Sequence, residues 1–357
     1  MRRALSDLSA AIVGTGFIAR VHARALRELG VPTVAVCGRT RAAADAWAAE
    51  LGGSAFDNLD SMLEAGGFDV LHVCTPNALH AEQALLALSR GVHVICEKPL
   101  AVSTVETAAL LQAAERGGLV GATCYHVRGY PLVEQMRADV AAGRLGRVTA
   151  VHGRYVCDDL LSVPAGWRLD AAASGPSYVV ADLGTHWLDL AEYVTGLRVV
   201  EVLADFRSFP GAGTLEDYAA LLLHLEQGAV GSLVLSARAA GRKNQLLFEC
   251  EGSEGGLTWD QEEPTTLLAR EAAAPSLLVI KDPAANAPRA RTLSRYPAGH
   301  AEGYGGAFVN VFREAYRAIG GLPHGSFPTF RDGHRGVALV EVAVASARDG
   351  GWVPVAQ

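Results

Sequence analysis

The sequence predicts an N-terminal doubly wound parallel α/β sheet over residues 1–124 and a C-terminal α+β domain over residues 125–357, the latter built on a large, mostly antiparallel sheet. Three observations carry this reading. The chain has 357 residues, more than one core of about 150 residues usually organises. Its first third alternates short apolar runs with stretches of helical spacing. Beyond about Thr123 that alternation stops, and long strand-like runs follow one another across short turns.

In the first third, Ala10–Val13, Val31–Cys37, Val70–Val73, Val92–Cys96 and Leu119–Ala122 read as buried strands. Ile18–Leu29, Arg41–Leu51, Ala78–Arg90 and Thr104–Arg116 read as the helices between them. Strands alternating with helices make βαβ units and a parallel sheet covered on both faces. Crossovers of this kind are right-handed.

The remainder opens with a helix at Pro131–Ala142, a strand near Val148–Tyr155 and a helix at His186–Val194. Strand-like runs follow at Val199–Phe206, Asp217–His224, Ala229–Ser236 and Gln245–Glu251, with hairpin signals at Gln227–Gly228 and Gly252–Gly256. Short turns between consecutive strands imply antiparallel pairing. Helices near Ala307–Ile319 and Gly336–Arg348 close the chain, the last placed to pack back on the first domain. Gln261–Arg291, rich in Ala, Pro and Glu, shows no readable period.

Composition narrows the function classes. The net charge is −7 and no dense Lys/Arg block occurs, so no nucleic-acid partner is expected. No apolar run approaches the ~18 residues that span a bilayer. Arg2 and Arg3 are followed by Asp7 and not by an apolar stretch, so no signal peptide and no membrane partner are expected. The six cysteines form no CxxC pair. They read as buried thiols in a reducing cytoplasm, and no metal site is expected.

Three segments carry chemistry. Ala11–Ala19 reads strand, GxGxxA turn, helix start. Gly14 permits the tight turn, Gly16 lets backbone approach a pyrophosphate, and the N–H groups at Phe17 and Ile18 open the helix toward phosphate. An acid that would hold a free ribose is absent from the end of the second strand, which reads Gly38-Arg39-Thr40-Arg41. Gly38 leaves space there, and Arg39 and Thr40 supply donors that suit a 2′-phosphate. NADP(H) is therefore favoured over NAD(H) as cofactor.

The fifth strand runs into Cys96-Glu97-Lys98-Pro99, and the fourth into Cys74-Thr75-Pro76-Asn77, with His80 one turn later. The carboxyl ends of parallel strands are where such sheets bind ligand. Lys98 is placed to reach a substrate hydroxyl or a cofactor ribose, with Glu97 beside it. Asp182 and His186, if helical, lie on one face at i and i+4, joined by Asp189 at i+7. A histidine there has the intrinsic pKa to take a proton near neutrality.

Together these segments resemble the glucose–fructose oxidoreductase/inositol dehydrogenase (Gfo/Idh/MocA) family. The matching stretches are GTGFIARVHARAL at Gly14–Leu26, CTPNALH at Cys74–His80, CEKPLA at Cys96–Ala101 and DLGTHWLDL at Asp182–Leu190, in family order. GYPLVEQMR, GWRLD and GHAEGYGGAF add further similarity at Gly129, Gly166 and Gly299 onward. The resemblance implies hydride transfer between a nicotinamide and a secondary alcohol or ketone of a sugar or cyclitol. It implies Lys98, Asp182 and His186 as the catalytic group. The cofactor set it implies is Gly14, Gly16, Phe17, Ile18, Gly38, Arg39, Thr40, Cys74, Thr75, Pro76, Asn77, His80, Glu97 and Lys98. Arg128, Trp167 and Arg168 join the trio at the substrate. It also implies a homodimer or homotetramer, paired through an exposed face of the C-terminal sheet.

Some positions depart from the family pattern. His126-Val127-Arg128 stands where many relatives read N-Y-R, Ser174-Gly175-Pro176 stands where many have a glycine run, and Asp158-Asp159 stand near a position often aromatic in similar sequences. These changes reshape the substrate pocket. Two other classes compete: a lyase or glycosidase-like enzyme using tightly bound nicotinamide for transient oxidation, and a non-catalytic cofactor-sensing protein. Retention of the trio argues against the second.

Overall fold

The computed structural model describes residues 2–162, 166–209 and 213–356. The chain forms two compact units. The first runs to His126 and takes in Tyr304–Arg335; the second comprises Val127–Gly303 and the chain from Gly336 onward.

In the first unit, β1 (Ala10–Val13), α1 (Phe17–Leu29), β2 (Thr33–Cys37), α2 (Arg41–Leu51), β3 (Ser54–Phe56), α3 (Leu59–Ala65), β4 (Val70–Val73), α4 (His80–Ser89), β5 (His93–Cys96), α5 (Thr104–Gly117) and β6 (Gly121–Thr123) follow in order. The six strands are parallel, in spatial order β3-β2-β1-β4-β5-β6. The order reverses at β1, which lies between β2 and β4, and there the loops at the strands' carboxyl ends part. β1 and β4 are buried along their whole length, which is why they read as unbroken apolar runs. Side-chain oxygens of Thr40, Asn58 and Ser103 cap α2, α3 and α5. Each satisfies a helix N–H that has no partner within the helix.

The second unit contains α6 (Pro131–Ala141), β7 (Val148–Val156), α7 (Asp159–Ser162), α8 (Ala171–Ser174), a π-helical turn (Val180–Gly184) and α9 (Thr185–Thr195). β8 (Val199–Arg207), β9 (Tyr218–Leu225), β10 (Val230–Ser236), β11 (Gln245–Gly252), β12 (Gly255–Asp260), β13 (Thr266–Glu271), β14 (Ala274–Ile280), α10 (Pro288–Leu293) and, at the end of the chain, β15 (Val353–Pro354) complete it. Among the described residues, nine strands lie in the order β14-β13-β12-β11-β7-β10-β9-β8-β15, and only β7–β10 pair parallel. Burial alternates along β9 and β10, the signature of a sheet with one covered face. α9 lies on that face, where Trp187 Nε1 donates to the Leu247 carbonyl at 3.0 Å. A Cβ at residue 153 of β7 would sit 2.2 Å from that indole nitrogen, so glycine there sets how closely helix and sheet approach.

Two helices interrupt this order. α11 (Tyr304–Ile319) and the first residues of α12 (Phe330–Asp349) belong to the first unit. A division at 124/125 assigns all of them to the second. The apolar face of α11, with Phe308, Phe312 and Ala315, is instead buried with Ala19, Ala23 and Leu26 of α1. Phe330 of α12 packs with Leu100 and Leu110 on the sheet's other side. Helical periodicity identifies a face to be buried, not the surface that buries it. The division between units falls inside α12, after Arg335.

Candidate active site

The glycine turn is built as the sequence predicts, for reasons that differ between its glycines. Gly14 has φ +107°, and a Cβ there would lie 2.3 Å from the Cys74 carbonyl oxygen and 2.7 Å from its carbon. The backbone where β4 ends closes on this residue, with Cys74 N donating to Val13 O at 2.8 Å. Gly16 is the opposite case: a Cβ there would meet nothing within 4 Å. It forms the N-cap of α1, with no side chain capping that end. Open space above an uncapped helix N-terminus is the cradle a pyrophosphate needs. Phe17 is 73% exposed, while Ile18, partly buried, packs against the core.

The adenosine end differs from the sequence reading at Gly38. That residue is buried, and a Cβ would lie 3.2 Å from Ala44 N, Thr15 Cγ2 and Thr40 O. The glycine admits the start of α2; it leaves no vacant space. Thr40 Oγ1 accepts from Ala43 N as the α2 cap, and Arg41 pairs with Asp45 at 2.8 Å. Arg39 is exposed and makes no hydrogen bond or ion pair among the described residues, so its guanidinium is the one available to a ligand here.

The loops leaving β4 and β5 are tied together by His80. Its Nδ1 lies 2.8 Å from the Pro99 carbonyl and its Nε2 2.8 Å from the Thr75 carbonyl. Both ring nitrogens are therefore turned to backbone, so His80 braces the ligand loops and does not reach a ligand through its ring. Burial lowers its pKa, opposed by those two carbonyls. Thr75 Oγ1 donates to Gln83 at 2.7 Å, and Asn77, largely buried, opens a short 3-10 turn. Cys74 is buried, with its thiol pKa pushed well up by that burial. Glu97 Oε2 accepts from Lys98 N at 3.1 Å and Oε1 lies 2.9 Å from His22 Nε2. Burial pushes the Glu97 carboxyl up, but the hydrogen bond from His22, with the charge of Lys98 and a hydrogen bond from Cys124, outweighs it, leaving it below the ordinary carboxylate range. Lys98 is half-buried. The turn at Gly14, the Cys74–Asn77 loop and the Glu97–Lys98 loop thus leave three adjacent strands, β1, β4 and β5.

In the second unit, Asp182 lies in the π-turn and His186 in the first turn of α9. A continuous α-helix, which would put them at i and i+4, is therefore interrupted, as often happens near functional sites. A Cβ at Gly184 would lie 2.9 Å from Leu235 Cδ1, so the turn presses on the sheet. Asp182 Oδ2 is 3.6 Å from Arg168 Nε, and that guanidinium lies over Trp167 at 5.1 Å. Trp167 and Arg168 thereby join Asp182. Asp189 pairs with Arg128. They form a fork, with Arg128 Nε donating to Oδ2 at 2.8 Å and an Nη to Oδ1 at 2.5 Å. The guanidinium also lies 4.4 Å over Tyr193. Arg128, expected at the substrate, has this paired geometry because a planar cation meets a buried carboxylate best by two parallel bonds.

Two residues escaped the sequence reading. Tyr155 is buried, with its ring centroid 6.1 Å from that of His186. Its hydroxyl pKa is raised by burial, with Asp182 contributing. Glu216 is buried at the mouth of β9. Its Oε1 accepts from Ser177 Oγ at 2.5 Å, Tyr178 N at 2.9 Å and Val180 N at 3.4 Å. It therefore caps the turn that carries Asp182, and burial raises its pKa. Two acids opening an apolar run look like a turn; nothing in their spacing reveals a cap from a distant loop.

Residues 8–125 match the GFO_IDH_MocA model, an oxidoreductase family with an NAD-binding Rossmann fold, and residues 133–258 match the GFO/IDH/MocA C-terminal domain. The chain belongs to the GFO/IDH/MocA oxidoreductase family. An inositol dehydrogenase homolog from Azotobacter vinelandii, solved in complex with NAD+, superposes with a TM-score of 0.92 at 30% identity, covering 97% of each chain. The levoglucosan dehydrogenase of Pseudarthrobacter phenanthrenivorans is 27% identical over 99% of each chain. The uncharacterized oxidoreductase YfiI of Bacillus subtilis is 31% identical over 80% of this chain and 78% of its own. GFO/IDH/MocA membership accounts for the six-stranded parallel sheet and the mostly antiparallel second one. No helix among the described residues is long and apolar enough to cross a membrane.

Proposed function

We propose that this chain transfers a hydride between a nicotinamide dinucleotide and a secondary alcohol or ketone of a sugar, a sugar derivative or a cyclitol. The observation that carries this is the first unit's arrangement. An open, uncapped helix N-terminus at Gly16 and the Lys98 loop leave neighbouring strands of an NAD-binding Rossmann sheet. The relatives named for inositol and levoglucosan point to the substrate class.

Gly14, Gly16 and the first N–H groups of α1 hold the pyrophosphate, and the loops after β4 and β5 flank the nicotinamide half. Bound there, the nicotinamide supplies a hydride acceptor or donor. The protein must manage the proton, because a carbinol carbon gives up hydride only as its hydroxyl gives up a proton. His186 takes that proton in oxidation and returns it in reduction. Asp182 orients the imidazole and stabilises the imidazolium formed when it takes the proton, held by the Glu216 cap and balanced by Arg168. Lys98 positions the reacting oxygen. Trp167 and Arg168 meet the substrate beside Asp182, while Arg128 shapes that wall through Asp189.

Arg39, exposed and uncommitted, favours NADP(H) through its fit to a 2′-phosphate. The NAD+ bound by the A. vinelandii homolog makes NAD(H) the other arm of the test. The outer sheet face, with Leu222 49% and Val234 37% exposed, is the surface on which a second copy pairs. A turnover screen of sugars, glycosides and cyclitols with each dinucleotide tests the proposal. Substrate-dependent reduction of cofactor supports it. Cofactor that stays bound while a substrate is cleaved without net reduction supports the lyase alternative.

A further inference from the structure

Beneath Lys98, four buried polar side chains form a continuous line across the first unit. Glu97 Oε1 is 2.9 Å from His22 Nε2, His22 Nδ1 is 2.9 Å from His72 Nδ1, and His72 Nε2 is 2.9 Å from the Tyr316 hydroxyl. His22 comes from α1, His72 from β4 and Tyr316 from α11. His22, His72 and Tyr316 have no solvent exposure. Phe312 seals the line, its ring 4.7 Å from His22 and 5.1 Å from His72.

Each contact needs one proton, and the ends decide which atom carries it. The only contact of the Tyr316 hydroxyl among the described residues is His72 Nε2. A buried hydroxyl donates where it can, so His72 Nε2 accepts and His72 holds its proton on Nδ1. His22 Nδ1 must then accept, and His22 holds its proton on Nε2, aimed at Glu97. Every donor therefore points one way, from α11 to the carboxylate. The second oxygen of that carboxylate receives the Lys98 N–H at 3.1 Å.

We infer that Tyr316, His72 and His22 form a one-way hydrogen-bond line that fixes the Glu97 carboxylate and, through it, the backbone of Lys98. They are positioning residues for the reaction, none of them touching substrate. The inference rests on the assignment of Lys98 to the reacting oxygen. The same region offers a different reading, since His22, Glu97 and Cys124 place one possible metal ligand each within 4.8 Å of one another. The direct 2.9 Å contact between His22 and Glu97, with Cys124 Sγ 3.7 Å from the same nitrogen, shows these atoms already bonded to each other.

Nitrogen NMR of the full-length protein labelled at its 11 histidines reads the tautomers directly, with His22→Asn and His72→Asn spectra supplying assignments. The line requires His22 protonated at Nε2 alone and His72 at Nδ1 alone. Tyr316→Phe, which keeps the ring, should mix the tautomers at both histidines. It should lower kcat roughly fivefold, the loss of one ordinary hydrogen bond, with cofactor Kd and substrate KM unchanged. A doubly protonated His22, His72 protonated at Nε2, stoichiometric metal in the purified protein, or unchanged kcat in Tyr316→Phe would each overturn the inference. Lys98→Met separates the two claims. If its turnover matches the native protein, the role of Lys98 fails while the tautomer assignment stands or falls on the spectra alone.

Discussion

Gly14 and Gly16 lie two residues apart in one turn, yet the structure assigns them opposite duties, and alanine substitution separates the two. At Gly14 a Cβ would lie 2.3 Å from the Cys74 carbonyl oxygen and 2.7 Å from its carbon. Both are backbone atoms of a buried strand end and neither can rotate aside. The φ of +107° adds conformational strain of about 1–3 kcal/mol, and overpacking adds about 1–3 kcal/mol more. Gly14→Ala should therefore lose roughly 2–6 kcal/mol in urea unfolding. At Gly16 φ is −86° and nothing lies within 4 Å of the added atom. Gly16→Ala should change stability by less than about 0.5 kcal/mol. Its methyl group would stand where the pyrophosphate approaches, weakening cofactor binding at least about tenfold, or about 1.4 kcal/mol. Fluorescence titration with reduced cofactor measures this. Native affinity in Gly16→Ala, or native stability in Gly14→Ala, would refute the account of the turn.

Three further outcomes follow from the same geometry. Arg39→Ala should weaken NADP(H) binding about 10- to 100-fold, the worth of one hydrogen bond to a charged group, while leaving NAD(H) binding unchanged; isothermal titration with both dinucleotides compares them. His126 is buried against Phe308, ring centroids 4.6 Å apart, and burial pushes its pKa down to about 3. The unfolded chain takes that proton first, so stability falls as pH drops from the ordinary histidine value toward 3. Urea midpoints for His126→Phe should lack this share, shallower by at most about 1.4 kcal/mol per pH unit, and parallel profiles would remove it. Glu216→Ala should lose about 2–3 kcal/mol from three hydrogen bonds and lower kcat, whereas Glu216→Gln keeps an acceptor and most of both; equal losses in the two variants would show that the cap is not what matters.

The parts legible in the sequence are those set by local pattern. β1, its turn and α1 are fixed by a buried run and glycine spacing, and Arg41–Leu51 by amphipathic period and a threonine cap. β3 escapes because its three residues, none of them buried, show no period. β12, β13 and β14 follow the last readable strand, and β14 is exposed along nearly its whole length, so its apolar run Leu277–Ile280 carries no alternation that would mark a covered face. α11 is legible as a helix but not as part of the first unit, because its partner surface on α1 lies nearly 300 residues earlier in the chain. The π-turn at Asp182 is invisible to a 3.6-residue period. At the site, Gly38 suggests empty space, and Arg128 is expected at the substrate. The structure fills the first with the start of α2 and adds an Asp189 partner to the second. The first is decided by a local turn whose geometry the sequence does not show, the second by a partner 61 residues on.

The central claim is that His186 moves the substrate proton while the first unit holds the dinucleotide. Stopped-flow mixing of cofactor-loaded protein with a substrate from the screen, followed by reduced-nicotinamide absorbance, compares the native protein with His186→Ala. The account predicts a fall in kcat of about 10²- to 10⁴-fold, with the cofactor Kd unchanged. Turnover within a few-fold of the native rate would contradict it.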